Sequence, residues 1–258
     1  MSSSGGPPAS TSLRLLSYNI RRGGAGHEDA LLAVIRPCNA DLVVFQEATR
    51  PEVIETLARG AAMPHWAAMP RLSLGFMSRI PIAHYEWHHP RASRHAFLEV
   101  VPEGMAFRVF GVHLSAVFAA WTETRRVIEL RALLAAIKRH QEGFHALVGD
   151  FNTVSPGELL DFSVLPQKVR ATVWLSGGRI RWRTIQVVRD GGYVDVFRAL
   201  HPNDPGLTLP TTTPQVRLDY LFVPEPHLSR VASCEVVRAA RAGEASDHFP
   251  LLSELRVS

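Results

Sequence analysis

The sequence predicts an α/β domain, and three observations support that fold class. Short apolar runs of strand length alternate with longer segments that have helical spacing, which is the pattern of α/β proteins. No linker, charge block or internal repeat divides the 258 residues. The composition, 46% hydrophobic and 20% charged, is ordinary for a globular protein and excludes disordered, collagen-like and coiled-coil chains. We therefore expect a flexible tail over residues 1–12 and a single domain over residues 13–258.

Five apolar runs are the clearest strand candidates. Each is rich in aliphatic or aromatic residues, is too short for a typical helix, and is bounded by polar or turn-forming residues. The predicted strands are Leu13–Ile20, Asp41–Phe45, Phe107–Leu114, His145–Val148 and Leu218–Val223.

Two helices have recognisable sequence signals. Thr49 with Pro51 and Glu52 resembles a capping box with proline in the first turn, and Gly60 is placed to end the helix after about three turns. From Trp121 to His140, apolar residues recur at helical intervals and predict a helix that packs on a sheet. Its charged residues are expected on other faces: Arg125, Arg126, Glu129 and Arg131.

Composition also limits location and partners. No apolar stretch approaches the roughly 20 residues of a membrane span, and residues 1–12 lack an apolar run, so we expect a cytoplasmic protein without a secretory signal. Cys38 and Cys234 are too few and too far apart for a disulfide framework or a cysteine-ligated metal site. The net charge of +4 comes almost entirely from arginine, which favours a phosphate-containing partner. A monomer is expected.

Polar residues follow the predicted strands at the points where these end. Asn19, Glu47 and His113 each end an apolar run, and Asp150 with Asn152 follow another. Since α/β folds place their sites at the ends of strands, these side chains are candidates for a shared site. Two later signals join them: Asp219 lies inside an apolar strand, and a buried aspartate needs a partner or a metal. The pair Asp247–His248 precedes the final apolar run.

Each of these residues, taken alone, also fits an ordinary structural role. Asn19 and Asn152 suit turns or caps, Glu47 suits an exposed strand end, and Asp219 suits a buried ion pair with Arg217. His113 and Asp247 have similar alternatives, as a structural histidine and a turn residue. All of these alternatives would have to hold together, each time at a strand end, so a functional site is the stronger interpretation.

The motifs resemble those of the endonuclease/exonuclease/phosphatase superfamily in the same order. The superfamily includes deoxyribonucleases, apurinic endonucleases, sphingomyelinases and inositol polyphosphate phosphatases. The resemblance extends over about residues 13–255 and implies a four-layer α/β/β/α sandwich, with two packed mixed sheets and helices outside. The matching segments are Ser17–Ile20, Val44–Glu47, Gly111–Leu114, Gly149–Thr153, Arg217–Tyr220 and Ser246–Leu251.

The same resemblance implies a role for each site residue. Glu47 with Asn19 would bind Mg²⁺ or Mn²⁺, Asp247 would contribute to a second metal position, and hard oxygen ligands suit these ions. Asp150 would orient or deprotonate the attacking water, and Asn152 would hold the water or a phosphate oxygen. The remaining implied catalytic residues are His113, which resembles a second active-site histidine, and the pair Asp219 and His248, in which the carboxylate fixes the imidazole.

The implied reaction is hydrolysis of a phosphodiester by in-line attack of water. Either Asp150 or His248 could be the base at this stage. Position 21 is arginine where some family members have an acid, which favours one metal held mainly by Glu47. An acidic partner for His113 is not evident, and Glu86 and Glu99 are candidates by distance in sequence only.

The segment Val173–Arg183 reads as a hairpin with a basic face. Alternation would place Arg179, Arg181 and Arg183 on one side, where they could follow a phosphate backbone, with Trp174 or Trp182 stacking on bases. The alternative is a solvated basic face with tryptophan in the core. Three functions remain open: a nuclease-like phosphodiesterase, a phosphatase or phosphodiesterase for a small molecule or lipid head group, and a binding module without catalysis.

Overall fold

Two six-stranded mixed sheets form the centre of the molecule. The computed structural model describes residues 12–116, 120–140, 142–158, 174 and 182–257. The first sheet has the order β11–β12–β1–β2–β4–β3 and the second β5–β6–β7–β8–β10–β9. The strands are β1 (Ser12–Asn19), β2 (Leu42–Gln46), β3 (His65–Ala68), β4 (Leu74–Ser78), β5 (Ile82–His88), β6 (Phe97–Pro102), β7 (Arg108–His113), β8 (His145–Asp150), β9 (Tyr193–Asp195), β10 (Asp219–Pro224), β11 (Val231–Val236) and β12 (Leu251–Arg256).

Each sheet contains one parallel pair at its centre, β1 with β2 and β7 with β8, and its other pairs are antiparallel. A parallel pair requires a crossover connection, and helices of the described chain lie in both connections. The helices are α1 (Glu28–Cys38), α2 (Pro51–Gly60), α3 (Ala120–Ala136), α4 (Arg183–Asp190), α5 (Val196–Leu200) and α6 (Ala242–Ala245), with short 3₁₀ helices at Lys138–His140 and Glu225–Arg230.

Three apolar cores hold the layers together. The inner faces of the two sheets pack on each other through side chains such as Leu15, Val44, Val148 and Leu221. A second core joins the outer face of the first sheet to α1 and α2, and a third joins the outer face of the second sheet to α3 and α4. The four-layer α/β/β/α sandwich with two mixed sheets is therefore confirmed.

All five predicted strands are present, with ends that differ by at most a few residues. The predicted helix after Glu47 is also present, but its start is not a capping box. Arg50 is the N-cap, no side chain caps the helix, and Pro51 occupies the first turn. Proline presets the helical backbone and has no N–H group to satisfy, so the helix starts without a capping hydroxyl.

The long helix α3 confirms the prediction for the segment around Trp121–His140, but two of its charged residues are buried. Arg125 and Arg131 face solvent, whereas Arg126 and Glu129 are almost completely inaccessible. These two side chains bind polar groups of the connecting loops. The helical period alone could not reveal this, because it does not show which loops pack against each face.

The basic hairpin is not formed at its predicted end. Arg183 is the first residue of α4 and Trp182 is its N-cap, so Arg183 does not lie on a strand face. Trp174 is exposed and helical. Arg179 and Arg181 lie outside the described residues. None of the helices in the described part of the chain is long and apolar enough to cross a membrane.

Candidate active site

The polar residues predicted from the strand ends meet at one end of the sandwich, between the two sheets. Both parallel pairs terminate there, because Asn19 lies opposite Gln46 at the end of β1 and β2, and His113 lies opposite Asp150 at the end of β7 and β8. The antiparallel strand β10 begins at the same level, with Asp219 opposite Asp150. Strand direction therefore gathers groups that are far apart in sequence; Asn19 and Asp219, for example, are separated by 200 positions.

Asp150 is at the centre of this cleft and is almost fully buried. Its Oδ1 accepts a hydrogen bond of 2.8 Å from the Asn152 backbone N–H. Its Oδ2 accepts from Nδ2 of Asn19 at 3.1 Å and from Nδ2 of Asn152 at 3.2 Å. These amide donors fix the carboxylate plane without neutralising its charge.

The backbone on either side of Asp150 is unusual. Gly149 has φ +142°, and a Cβ at this position would lie 2.0 Å from the carbonyl oxygen of Val112. Glycine is therefore required where β7 and β8 approach each other. Asn152 has φ +52°, a left-handed conformation that asparagine tolerates better than most residues. This conformation turns its amide back onto Asp150, and its Nδ2 also donates to the Leu114 carbonyl at 2.9 Å.

Glu47 reaches the same cleft from the first sheet. It follows β2 with φ +58°, and its Oε2 accepts a 2.5 Å hydrogen bond from the backbone N–H of Arg22. Nδ2 of Asn19 lies 3.4 Å from Oε1 of Glu47 and also donates to Asp150, so a single amide group joins the two carboxylates. Backbone strain of this kind persists where neighbouring groups enforce it, and it is common at functional sites.

His248 is held by Asp219 on the opposite wall of the cleft. Nδ1 of the imidazole lies 2.9 Å from Oδ2 of Asp219, which leaves Nε2 facing Asp150 at 3.9 Å from Oδ2. The backbone N–H of His248 donates to Oγ of Ser246, and that hydroxyl donates to the Asn19 carbonyl at 2.7 Å. This chain of bonds ties the segment before β12 to the end of β1.

His113 approaches Asp150 from the other side. Its Nε2 also lies 3.9 Å from Oδ2 of Asp150. Its Nδ1 is buried and has no hydrogen-bond partner within the described ranges. The ring of His95 lies beside it, with 5.8 Å between the ring centroids. His95 was not predicted, because nothing in its local sequence marks the loop 89–96 as part of the cleft.

Burial and neighbouring charges shift the pKa values of the cleft residues in different directions. Burial raises the pKa of Asp150, the charge of His248 opposes this, and Asp219 adds to it. Burial alone would lower the pKa of His248, but the charge and hydrogen bond of Asp219, followed by Asp150 and Asp247, raise it to about 10. Burial lowers the pKa of His113 to about 3, with a further contribution from the two nearby histidines. At neutral pH, His248 is therefore cationic and His113 is neutral.

Asp247 lies at the rim of the cleft with a different partner. Nε of Arg21 is 3.4 Å from Oδ2 of Asp247, so an arginine occupies the region next to the carboxylate that was assigned to a second metal. Arg21, like Glu47 and Asn152, has a left-handed backbone. Its N–H donates to Oδ1 of Asn19 at 3.0 Å, which leaves the amide nitrogen of Asn19 facing the carboxylates.

Two alternatives from the sequence are wrong. Arg217 does not pair with Asp219; it pairs with Glu158 and Asp195, and Asp219 pairs with His248. The acidic candidates for His113 are also elsewhere. Glu99 contacts His88 and Arg108, and Glu86 lies near His84 and His88. Both glutamates point to the outer face of the second sheet, whereas His113 faces the cleft between the sheets.

A buried polar network behind the cleft was also missed. Glu129 of α3 accepts hydrogen bonds from the hydroxyl of Ser115 at 2.9 Å and from its backbone N–H at 3.2 Å. Glu123 accepts from Thr153 and Thr184. Ser115 and Thr153 each follow a cleft residue within two positions, so α3 fixes both loops. The available signal was the charged residues within the apolar period of α3.

The donor chemistry of the cleft fits a divalent cation. Four carboxylates, Glu47, Asp150, Asp219 and Asp247, face two positively charged groups, Arg21 and His248, so negative charge is in excess. Glu47 and Asp150 present oxygen atoms to the same amide group of Asn19. Oxygen ligands of this kind suit Mg²⁺ and Mn²⁺. Asp150, Asp219 and His248 also have potential ligand atoms within 4.8 Å of one another.

Several solved structures have the same fold as this chain. The structure resembles an AP endonuclease from Archaeoglobus fulgidus, with 16% identity, a TM-score of 0.71 and coverage of 95% of this chain and 100% of that chain. It also resembles the 3' phosphatase NExo from Neisseria bound to product DNA hairpin, with 16% identity, a TM-score of 0.70 and coverage of 94% and 99%. A third similar structure is an endonuclease/exonuclease/phosphatase from Beutenbergia cavernae, with 20% identity, a TM-score of 0.68 and coverage of 96% of this chain and 72% of that chain.

No curated protein sequence matches the chain. At the level of sequence families, the endonuclease/exonuclease/phosphatase model matches residues 16–248, which is most of the chain and contains the whole cleft described above. The strand order, the motifs and this match agree, and the chain belongs to the endonuclease/exonuclease/phosphatase family.

Proposed function

We propose that the protein is a divalent-metal-dependent phosphodiesterase that hydrolyses nucleic acid by in-line attack of water. One observation carries the proposal: Oδ2 of Asp150 lies 3.9 Å from Nε2 of both His113 and His248. Asn19 connects the same carboxylate to Glu47. A carboxylate base, two imidazoles and a metal-binding carboxylate therefore face one space, which is the set of groups that phosphoryl hydrolysis requires.

Asp150 is the base in this proposal. The amide groups of Asn19 and Asn152 hold its carboxylate in place with three hydrogen bonds, two to Oδ2 and one to Oδ1. One lone pair on Oδ1 is left to accept a proton from water. Burial moves its pKa toward neutrality, where a general base is most effective. His248 is unsuited to this role, since its Nδ1 is bound to Asp219 and its ring is already protonated at neutral pH.

The two histidines would stabilise the charge on phosphorus oxygens. His248 presents a cationic N–H at Nε2, and Asp219 prevents the ring from rotating. His113 is neutral, so it presents one N–H and one acceptor nitrogen. Donors fixed in a water-poor cleft cost little reorganisation when negative charge develops on the phosphate.

Glu47 would hold the cation beside Asp150, which shares the Asn19 amide with it and stays available as the base. When bound, Mg²⁺ or Mn²⁺ would neutralise phosphate charge and stabilise the leaving oxygen. Asn19 would act chiefly as a donor that orients both carboxylates, because its Oδ1 accepts from the Arg21 N–H. Since Arg21 already neutralises Asp247, a single cation is sufficient.

Nucleic acid is the substrate class that the surroundings favour. Arg22 and Arg50 are exposed on the segments that flank Glu47, and arginine suits phosphate recognition. Arg183 remains a candidate phosphate contact from the start of α4, whereas Arg179 and Arg181 rest on the sequence alone. Among the similar structures, the 3' phosphatase NExo is bound to product DNA hairpin. A phosphomonoesterase or a small-molecule phosphodiesterase would use the same cleft, so substrate tests must separate these classes.

The experiment compares plasmid DNA, single-stranded RNA, a 3'-phosphorylated DNA hairpin, a chromogenic phosphodiester and sphingomyelin, each with Mg²⁺, Mn²⁺ or EDTA. We expect cleavage of a polynucleotide that stops with EDTA. Glu47→Gln, Asp150→Asn and His248→Ala should abolish it. His65→Ala is the matched control, because His65 lies at the opposite end of the first sheet. Turnover of only a small phosphoester would replace nucleic acid as substrate, and no turnover by folded protein would overturn the proposal.

A further inference from the structure

A second cluster of histidine and carboxylate groups lies on the outer face of the second sheet. His84, Glu86 and His88 alternate along β5, so all three project to the same side of the strand. Glu99 of β6 lies directly opposite Glu86 in the strand register. Its neighbours Leu98 and Val100 face the core between the sheets, so Glu99 faces outward with this cluster. Nothing in the catalytic proposal uses these residues.

The distances bring potential ligand atoms together. His84, Glu86 and Glu99 each offer one ligand atom, and these atoms lie within 4.8 Å of one another. Nε2 of His84 is 3.6 Å from Oε2 of Glu86. His88 lies between the carboxylates, with Nε2 at 2.8 Å from Oε2 of Glu99 and Nδ1 at 3.9 Å from Oε1 of Glu86.

The solvent exposure of the cluster would allow it to bind an ion from solution. The side chains of His84 and Glu86 are each 53% exposed, whereas that of Glu99 is 2% exposed. Two ligands can therefore adjust by rotation around a third that is fixed by packing and by its hydrogen bonds. Glu99 also pairs with Arg108, at 2.5 Å from Nη1 to Oε1, but an ionised carboxylate has about four lone-pair sites. Its Oε2 retains capacity for a cation.

We propose that His84, Glu86 and Glu99 form a Zn²⁺ site, with His88 positioning Glu99. Mixed imidazole and carboxylate ligands favour Zn²⁺ over Mg²⁺, which prefers oxygen ligands and retained waters. The site joins the edge strand β5 to β6 at the base of the hairpin whose loop, residues 89–96, carries His95 to the cleft. It is separated from the catalytic cleft by the sheet itself.

The experiment counts metal ions bound to the full-length protein by equilibrium dialysis with Zn²⁺, and records the visible absorption of bound Co²⁺. We expect His84→Ala/Glu86→Ala to lose one bound equivalent relative to the unchanged protein, and Asp150→Asn to retain that equivalent. His84→Ala alone should weaken Zn²⁺ binding at this site by roughly tenfold or more, the lower range for loss of support at metal sites.

His89→Ala is the matched control, since His89 is exposed on the same hairpin outside the cluster. It should bind as many equivalents as the unchanged protein. Circular dichroism establishes that each variant is folded, and the substitutions remove mostly exposed groups. The proposal would be overturned if His84→Ala/Glu86→Ala bound Zn²⁺ with the same stoichiometry and affinity as the unchanged protein. It would also be overturned if the unchanged protein bound a single Zn²⁺ and Asp150→Asn bound none. Neither result depends on whether a nucleic acid is cleaved.

Discussion

The cleft and the β5–β6 face contain the same kinds of side chain in opposite environments. In the cleft, Asp150, Asp219 and His248 are buried together. On the β5–β6 face, two of the three potential ligands, His84 and Glu86, are exposed, and only Glu99 is buried. Burial shifts the pKa of Asp150 upward, whereas the hydrogen bond from His88 is the main reason that the pKa of Glu99 falls to about 2.

The difference shows that environment, and not residue type, decides what such a cluster can do. A buried carboxylate among other charges can accept a proton near neutral pH, which suits catalysis. A carboxylate that stays ionised beside two exposed potential ligands suits binding of a cation. The cleft also gathers residues from seven chain segments, whereas the outer cluster comes from a single hairpin.

Removing the charge at the centre of the cleft should have the largest effect. Asp150→Asn retains the size of the side chain and removes the proposed base, so we expect kcat to fall by roughly 10²–10⁴-fold, the usual contribution of general acid–base catalysis. The free energy of unfolding should not fall, because the substitution removes a buried charge close to Asp219. Steady-state kinetics and urea denaturation measure the two effects. Unchanged kcat would contradict the role of Asp150, and His65→Ala provides the control.

A buried histidine on the outer face of the second sheet tests the effect of burial without catalysis. His145 lies between the Gly143 carbonyl and the Tyr193 hydroxyl, each at 2.8 Å. Burial lowers its pKa from 6.5 to about 4. The unfolded chain therefore binds a proton first as the pH falls, and stability present above pH 6.5 is lost toward pH 4. The loss is on the order of 3 kcal/mol.

His145→Gln should remove this part of the pH dependence. Urea denaturation at pH 7.5 and pH 4.5 gives the difference in the free energy of unfolding for each protein, and we expect the difference to be smaller in the variant. Comparing differences cancels the cost of the substitution itself. The same loss of stability on acidification in both proteins would mean that another group is responsible.

Weakening the contacts by which α3 supports the cleft should have an intermediate effect on stability. Glu129→Gln weakens the two hydrogen bonds from Ser115, and we expect a loss of about 1–3 kcal/mol in the free energy of unfolding, as for an unsatisfied buried group. Arg125→Gln on an exposed position of the same helix is the control, with an expected change within about 0.5 kcal/mol. If thermal denaturation finds the two variants equally stable, Glu129 does not stabilise the loop.

The smallest effect is expected on the β5–β6 face in the absence of metal. His84→Ala removes an exposed side chain, so the free energy of unfolding in EDTA should change by less than about 0.5 kcal/mol. With Zn²⁺ present, the unchanged protein should gain stability and the variant should not, because a ligand stabilises the state that binds it. Differential scanning calorimetry with and without Zn²⁺ makes this measurement. A large loss in EDTA would show that His84 is structural.

Much of the fold could be predicted from local patterns. The central strands β1, β2, β7, β8 and β10 are apolar runs with clear boundaries, and α2 and α3 have regular apolar intervals. The strands nearer the sheet edges were missed because they lack a continuous apolar run; β5, for example, is His- and Glu-rich on its outer face. The prediction that Arg183 lies on a strand was wrong because Arg183 begins α4, and the rest of the predicted hairpin, apart from Trp174 and Trp182, lies outside the described residues.

The candidate site, like the fold, was predictable where its signals are local in sequence and not where they depend on tertiary contacts. Polar groups at strand ends identified Asn19, Glu47, His113 and Asp150, since the end of a strand is visible in sequence. His95 was missed because its loop is brought to the cleft by the β5–β6 pairing. Arg21 also could not be paired with Asp247 from sequence, because 226 positions separate the two residues.

By itself, the sequence determined the fold class, the central strands and which polar residues end them, since these depend on apolar periodicity and local backbone preference. The tertiary structure alone decided that Arg21 pairs with Asp247 and that Glu86 and Glu99 face away from the cleft. The physical reason is that burial and charge pairing depend on which segments pack together. Those contacts are set by strand order and register across the whole chain.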